Sequence, residues 1–303
     1  MNFRSIQTTI ATLAGACILA IVAALIFYAL YASDRTQTLT QARTQGLLEQ
    51  LIEQRLSALA QTQVLQIQRE LEYPLAITAE LANSNRLLGV TGADGSALLS
   101  VSREEMLNLA RETLVQHPKL LSTYIGWEPN AFDNSDDIYA GSQQPGMSDA
   151  GRFVPWWYRN DDGSLALDRL NDLEDEKLLP TGVRAGEYYL CPRDSKQACV
   201  TDPAPYEMGG KTVMLASFVN PILVDERFMG MVGADLAVNF IQELLVNADR
   251  QLYDGAGEMS LISNNGRLIA STQAPDKLGS PATELLDANE LDNLKRLVPG
   301  QII

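Results

Sequence analysis

The sequence predicts an α+β protein that begins with a membrane helix. Three observations carry this. No charged residue lies between Ser5 and Ser33. Apolar residues then recur at steps of three and four through a long Gln- and Glu-rich segment. From Leu120 the helical rhythm gives way to short runs of Val, Met, Phe and Ile separated by turn residues, which is the pattern of strands. Hydrophobic residues make up 46% of the 303, enough for a sizeable core, and the net charge is −15. That charge argues against nucleic acid and anionic membrane surfaces as partners.

The apolar core Ile10–Tyr31 is long enough to span a bilayer and too long for the core of a cleaved signal peptide. It reads as a retained anchor. Arg4 before it and Asp34 after it put the short N-terminus in the cytoplasm by the positive-inside rule. Tyr28 and Tyr31 suit an aromatic belt.

A long helix is expected over Asp34–Glu72, with a stripe formed by Leu48, Ile52, Leu56, Ala60, Val64, Ile67 and Leu71. Such a stripe packs on its own domain, on a second copy of the chain, or on both, and a homodimer through this helix is predicted. Pro74 ends or kinks the helix. A second helix covers Leu75–Leu88, and a third starts at the capping box of Ser102 and stops before Pro118.

Strands follow at Leu121–Trp127 and Arg152–Tyr158, around a polar loop at Asn130–Asp149. Glu187–Leu190 and Ala198–Asp202 read as a hairpin. Val213–Val219 and Met229–Leu236 read as apolar strands joined at Asp225-Glu226, and a helix is expected over Asn239–Asn247. The pattern then restarts. A hairpin at Met259–Ile262 and Leu268–Ser271 turns at Asn264-Asn265-Gly266, and helical residues span Pro281–Leu297. A hairpin and one helix make a poor core alone, so a second, smaller module is expected to begin here and be cut short.

Cys17 reads as a small apolar residue of the anchor. Cys191 and Cys199 are close enough to face each other across a hairpin, and an extracytoplasmic setting would let them form a disulfide. A single histidine, His117, argues against a metal site. No nucleophile–base triad, P-loop or dinucleotide fingerprint is present, so neither an enzyme nor a cofactor is predicted.

The chemistry concentrates in Gly151–Asn160, which holds Trp156, Trp157 and Tyr158. Tyr188, Tyr189, Asp202, Tyr206 and Asp235 follow within one domain's length. Aromatic faces beside carboxylates suit a cationic amine; the plainer reading is that each ring is a core aromatic. Adjacent tryptophans on a strand point to opposite faces, so only one of the pair can face a given pocket. Alternation puts Asp202, Ala204 and Tyr206 on one face. Asp149 is placed near a pocket rim, and Trp127 packs structurally.

Three groups of residues resemble the double-Cache (dCache) domain of methyl-accepting chemotaxis receptors. They are Tyr124-Ile125-Gly126-Trp127-Glu128-Pro129-Asn130-Ala131-Phe132, then Gly151-Arg152-Phe153-Val154-Pro155-Trp156-Trp157, and Gly230-Met231-Val232-Gly233-Ala234-Asp235-Leu236. Gly186-Glu187-Tyr188-Tyr189-Leu190 and Pro221-Ile222 extend the likeness, which is nearest to the subgroup that senses amines and polyamines. The resemblance implies PAS-like modules with antiparallel sheets. Residues 1–8 are then cytoplasmic, 9–32 transmembrane, 33–118 helical, 119–250 a membrane-distal ligand-binding module and 251–303 a partial membrane-proximal module.

It further implies that Trp156, Trp157 and Asp235 contact the ligand, with Asp235 receiving an ammonium group. Asp202, Tyr206 and Tyr189 complete the expected site. Amino-acid-binding relatives place a carboxylate-holding arginine where this chain has Val154, which favours an amine lacking an α-carboxylate. They also place a tyrosine at Ala204, so a wider pocket is expected here. The implied protein sits in the bacterial inner membrane with its sensor in the periplasm, and a cytoplasmic signalling module, absent from this chain, is expected. The alternatives are the sensor of a histidine kinase or diguanylate cyclase binding an amino acid or other metabolite, and a membrane-anchored scaffold.

Overall fold

The computed structural model describes residues 3–96, 98–263 and 265–296. In chain order the elements are α1 (Phe3–Arg86), α2 (Arg103–Gln116), β1 (Ser122–Trp127), α3 (Asp136–Tyr139), β2 (Pro155–Arg159), β3 (Leu165–Arg169), α4 (Glu187–Ser195), β4 (Cys199–Val200), β5 (Ala204–Met208), β6 (Lys211–Val224), β7 (Arg227–Ala237), α5 (Val238–Tyr253), β8 (Ser260–Ile262), β9 (Leu268–Ser271) and α6 (Ala288–Lys295). They fall into two compact units, residues 1–60 and 61–303.

The first unit is the N-terminal stretch of α1. Gly15–Ser33 is apolar enough to cross a membrane, with a mean hydropathy of 2.3. Further along, Leu48, Ile52, Leu56 and Leu59 stand exposed.

The second unit is built on a seven-stranded antiparallel sheet of order β3-β2-β1-β7-β6-β4, with β5 also paired to β6. The later part of α1, α2 and α5 cover one face. Leu114, Phe218, Leu236, Ile241 and Leu245 form one core there, and Met106, Ile125, Trp127, Phe153 and Val232 another. The opposite face carries α4 and the chain from Leu170 to Ala185. The capping box at Ser102 forms as expected, the serine hydroxyl accepting from the Glu105 amide at 3.2 Å. β6 and β7 are joined through Asp225 and Glu226, at φ 49° and 61°. Two positive values are what a two-residue type I′ turn requires.

Several expectations need correction. α1 does not stop near Glu72; it runs through Pro74 to Arg86 as one helix. Pro74 removes one backbone donor, but Ile77 and Leu81 anchor the following turns in the core. Side chains add local bonds: Thr78 Oγ1 donates to Pro74 O at 2.9 Å, and Asn220 Nδ2 on β6 donates to Leu75 O at 3.1 Å and to Thr78 Oγ1 at 2.9 Å.

Glu187–Leu190 is the first turn of helix α4, not a strand. Ala198–Asp202 narrows to the two residues of β4. The polar loop contains the short α3, tied down by Arg103, whose guanidinium reaches Asp133 at 2.8 Å and Asp136 at 2.7 Å. The expected final helix is a 3-10 turn at Ala282–Glu284 followed by α6; Leu297, its expected end, and Asn264 of the hairpin turn lie outside the described residues. The β8–β9 hairpin packs Met259, Leu261 and Ile269 against the core that holds Ile241 and Leu245.

Candidate functional site

β7 runs between β1 and β6, and its register decides the site. Asp235 pairs with Ser122 on one side and Ser217 on the other. These three residues form a row across the sheet, on the face that carries α4. Two residues further along β1, Tyr124 lies on the same face and pairs with Trp156 of β2.

Tyr124 reaches Asp235 by lying over Gly233, its partner on β7. A Cβ at 233 would stand 2.1 Å from the Tyr124 ring, so only glycine leaves room for it.

The Asp235 carboxylate is 3% exposed. Oδ1 accepts from Ser217 Oγ at 2.7 Å and from Tyr124 OH at 3.2 Å, and Oδ2 accepts from Ser122 Oγ. Burial pushes its carboxyl up to about 6, while the three hydroxyl donors pull it back down. No Lys, Arg or His forms an ion pair with it among the described residues.

A cavity of about 240 Å³ opens above this row. Tyr124, Trp156, Tyr188 and Tyr206 wall it, and Asp172 and Glu207 also line it. Tyr188 meets Tyr124 edge-on at 5.7 Å between ring centres and Tyr206 edge-on at 6.0 Å. Burial raises the phenols of Tyr124, Tyr188 and Tyr206, so all three stay neutral. Tyr206 OH and Trp156 Nε1 are buried with no hydrogen-bond partner among the described residues. The cavity therefore presents a buried anion, aromatic faces and two unused polar atoms.

The expected residues divide evenly. Trp156, Tyr206 and Asp235 come together at the cavity; Trp157, Tyr189 and Asp202 do not line it. Trp157 projects from the opposite face, where its Nε1 donates to Leu107 O of α2 at 2.9 Å. Tyr189, the next residue of α4 after Tyr188, is turned away from the cavity. Its hydroxyl donates to Glu128 and accepts from Arg152, and its ring meets Phe228 at 5.5 Å. Asp202 precedes β5, outside the alternation that sets Tyr206, and accepts from Asn265 Nδ2 at 2.9 Å in a separate hollow.

Ala204 is fully buried and, like Val154, does not line the cavity. The wider pocket expected at Ala204 therefore has no counterpart in the lining. Asp149 pairs with Arg169 at 2.5 Å, at the edge of a different surface hollow. Ser122, Tyr124 and Ser217 were not foreseen as site residues. The signal for the first two is their i, i+2 spacing on β1, which becomes informative once β1 is set beside β7.

Cys191 and Cys199 form a disulfide, with 6.3 Å between Cα atoms. It links α4 to β4 rather than two strands of a hairpin, and so ties the helix bearing Tyr188 to the sheet.

Residues 106–243 match the family described as methyl-accepting chemotaxis protein-like, first PDC sensor domain. The chain is 29% identical, over 99% of its length, to the methyl-accepting chemotaxis protein TlpQ of Pseudomonas aeruginosa, and spans 44% of that protein. Among solved structures it is similar to methyl-accepting chemotaxis protein X, at a TM-score of 0.58 and 20% identity, covering 78% of this chain and 79% of that one. It is also similar to an extracellular domain assigned to a histidine kinase, mmHK1S-Z3, at a TM-score of 0.57 and 24% identity, covering 76% and 74%. Over residues 106–243 the chain is thus similar to the first PDC sensor domain of methyl-accepting chemotaxis protein-like proteins, and its fold is similar to those of the two solved structures.

Proposed function

We propose that this chain is the ligand-sensing, periplasmic region of a bacterial inner-membrane chemoreceptor, and that its cavity binds a small amine of the polyamine or biogenic-amine class. One observation carries the ligand reading. Asp235 is a buried carboxylate supported only by hydroxyl groups, on the floor of a cavity walled by aromatic rings. A buried anion without a counter-ion is costly. A ligand ammonium would supply that counter-ion, and the ring faces would stabilise its charge. A ligand carboxylate would meet no basic residue in the lining.

The domain is read as a non-catalytic sensor. Binding alters the packing of α1, and two copies associate through its exposed stripe; a cytoplasmic module in the longer protein receives the signal. Only a ligand that favours one packing state can do this. The test is calorimetry of the full chain with putrescine, histamine, an α-amino acid and an organic acid. Amines should bind, and Asp235→Asn should weaken them about tenfold to a hundredfold, the size of one charge-assisted hydrogen bond. Binding of the organic acid alone would overturn the amine reading. The likeness to the mmHK1S-Z3 domain supports a second reading, in which the same sensor drives a histidine kinase. Joining residues 1–303 to each type of output module and measuring its response separates the two.

A further inference from the structure

Asp235 sits between two serines contributed by different strands. Ser122 Oγ from β1 donates to Oδ2, and Ser217 Oγ from β6 donates to Oδ1. Both pairs are in direct register across the sheet, so the hydroxyls approach the carboxylate from opposite sides. A carboxylate held at one oxygen can swing about χ2; held at both oxygens from two sides, its plane is fixed.

The serines are not equivalent. Ser217 lines the cavity and is placed to touch a ligand. Ser122 is 0% exposed and does not line it. Its hydroxyl donates to Asp235. A buried hydroxyl aimed at a buried carboxylate is a specific arrangement, because alanine would fill the space nearly as well.

We propose that Ser122 is a positioning residue, which never meets the ligand and acts on it only through Asp235 by fixing the plane of the receiving carboxylate. The inference rests on the reading of Asp235 as the cation receptor. A hydrogen bond to the charged form favours that form. Ser122 therefore also helps keep Asp235 ionised against burial. The titratable groups facing Asp235 are Tyr124 on β1, Tyr206 and Glu207 on β5, Tyr188 on α4 and Asp172 in the loop between β3 and α4. The phenols stay neutral.

The experiment uses the full chain and two variants, Ser122→Ala and Ser122→Thr. The Asp235 carboxyl is titrated by carbon-detected NMR without ligand, and putrescine affinity is measured at pH 6 and pH 8. In Ser122→Ala the Asp235 titration should move to higher pH. Putrescine affinity should fall about tenfold at pH 6, the worth of one hydrogen bond to a charged group, and less at pH 8, where the carboxylate is ionised in either protein. Ser122→Thr keeps the hydroxyl and should restore both readouts. An unmoved Asp235 titration with an equal affinity loss at both pH values would reduce Ser122 to packing. If wild-type protein binds no amine, the amine reading falls, and the ligand-free titration still decides what Ser122 does.

Discussion

Asp235 works against folding when it is charged, because burial raises its carboxyl from 3.8 to about 6 and no cation among the described residues pairs with it. The sign is the reverse of that for a salt-bridged acid. Between these values the folded state binds the extra proton, so stability rises as pH falls through 6 and the gain is complete below 3.8. Above pH 6 the ionised carboxylate withholds about 3 kcal/mol, at 1.36 kcal/mol per pH unit. Asp235→Asn, which removes the charge and keeps the shape, should therefore stabilise the ligand-free protein at pH 8. The gain should shrink towards zero near pH 4 in urea melts followed by circular dichroism. On the proposed amine reading the same variant should lose amine affinity, so stability and binding would move in opposite directions.

At this scale the sequence was half legible. Asp235 stands out as an acid inside an apolar strand, and Trp156 and Tyr206 as aromatics in strands. Trp157 could not be separated from Trp156 by reading alone, since strand alternation states that they diverge but not which one faces the cavity. That choice is made by the pairing of Tyr124 with Trp156, a long-range fact. Ser122 and Ser217 are ordinary strand serines until the register lines them up with an aspartate.

At the scale of elements, α4 was misread because Tyr188-Tyr189-Leu190 is too short an apolar run to tell helix from strand. The disulfide was legible while the element bearing one of its cysteines was not. Replacing Cys191 and Cys199 with serine should cost roughly 2 kcal/mol, at the lower end of the usual range because the loop is short. Urea melts of the variant and of reduced wild type should agree. The continuity of α1 through Pro74 was missed for a related reason, since proline removes one backbone bond but leaves side chains free to hold the turn that follows it. Asn220 is the clearest of these. Asn220→Ala removes its bonds to Leu75 O and Thr78 Oγ1 and should destabilise the sheet–helix contact by about 1 kcal/mol. Hydrogen exchange should then quicken in residues 74–82 more than in β1.

For the whole molecule, the stripe along α1 serves different ends along its length. Ile67 and Leu71 pack into the core of the second unit, while Leu48, Ile52 and Leu56 are exposed. The periodicity was plain in the sequence, but where burial stops was not, because the spacing is the same throughout. If the exposed part joins two copies, the double variant Ile52→Glu, Leu56→Glu should sediment as a monomer in detergent while the wild type sediments as a dimer. Amine affinity in that variant should be unchanged, because neither residue lines the cavity.

The bare backbone at Gly233 bears on how such a receptor could change its taste. Tyr124 rests on that glycine as on a floor, and the smallest added side chain would meet the ring at 2.1 Å. Gly233→Ala must lift the ring into the cavity and pull its hydroxyl off Asp235. If the cavity binds the ligand as proposed, ligand size would be governed from beneath the lining, by one hydrogen atom that no ligand touches. A lineage drifting towards smaller amines could get there with a single codon and leave every wall residue as it was. Competition between ethylamine and longer alkylamines on Gly233→Ala should show it, the preference shifting to the shorter chain as total affinity falls.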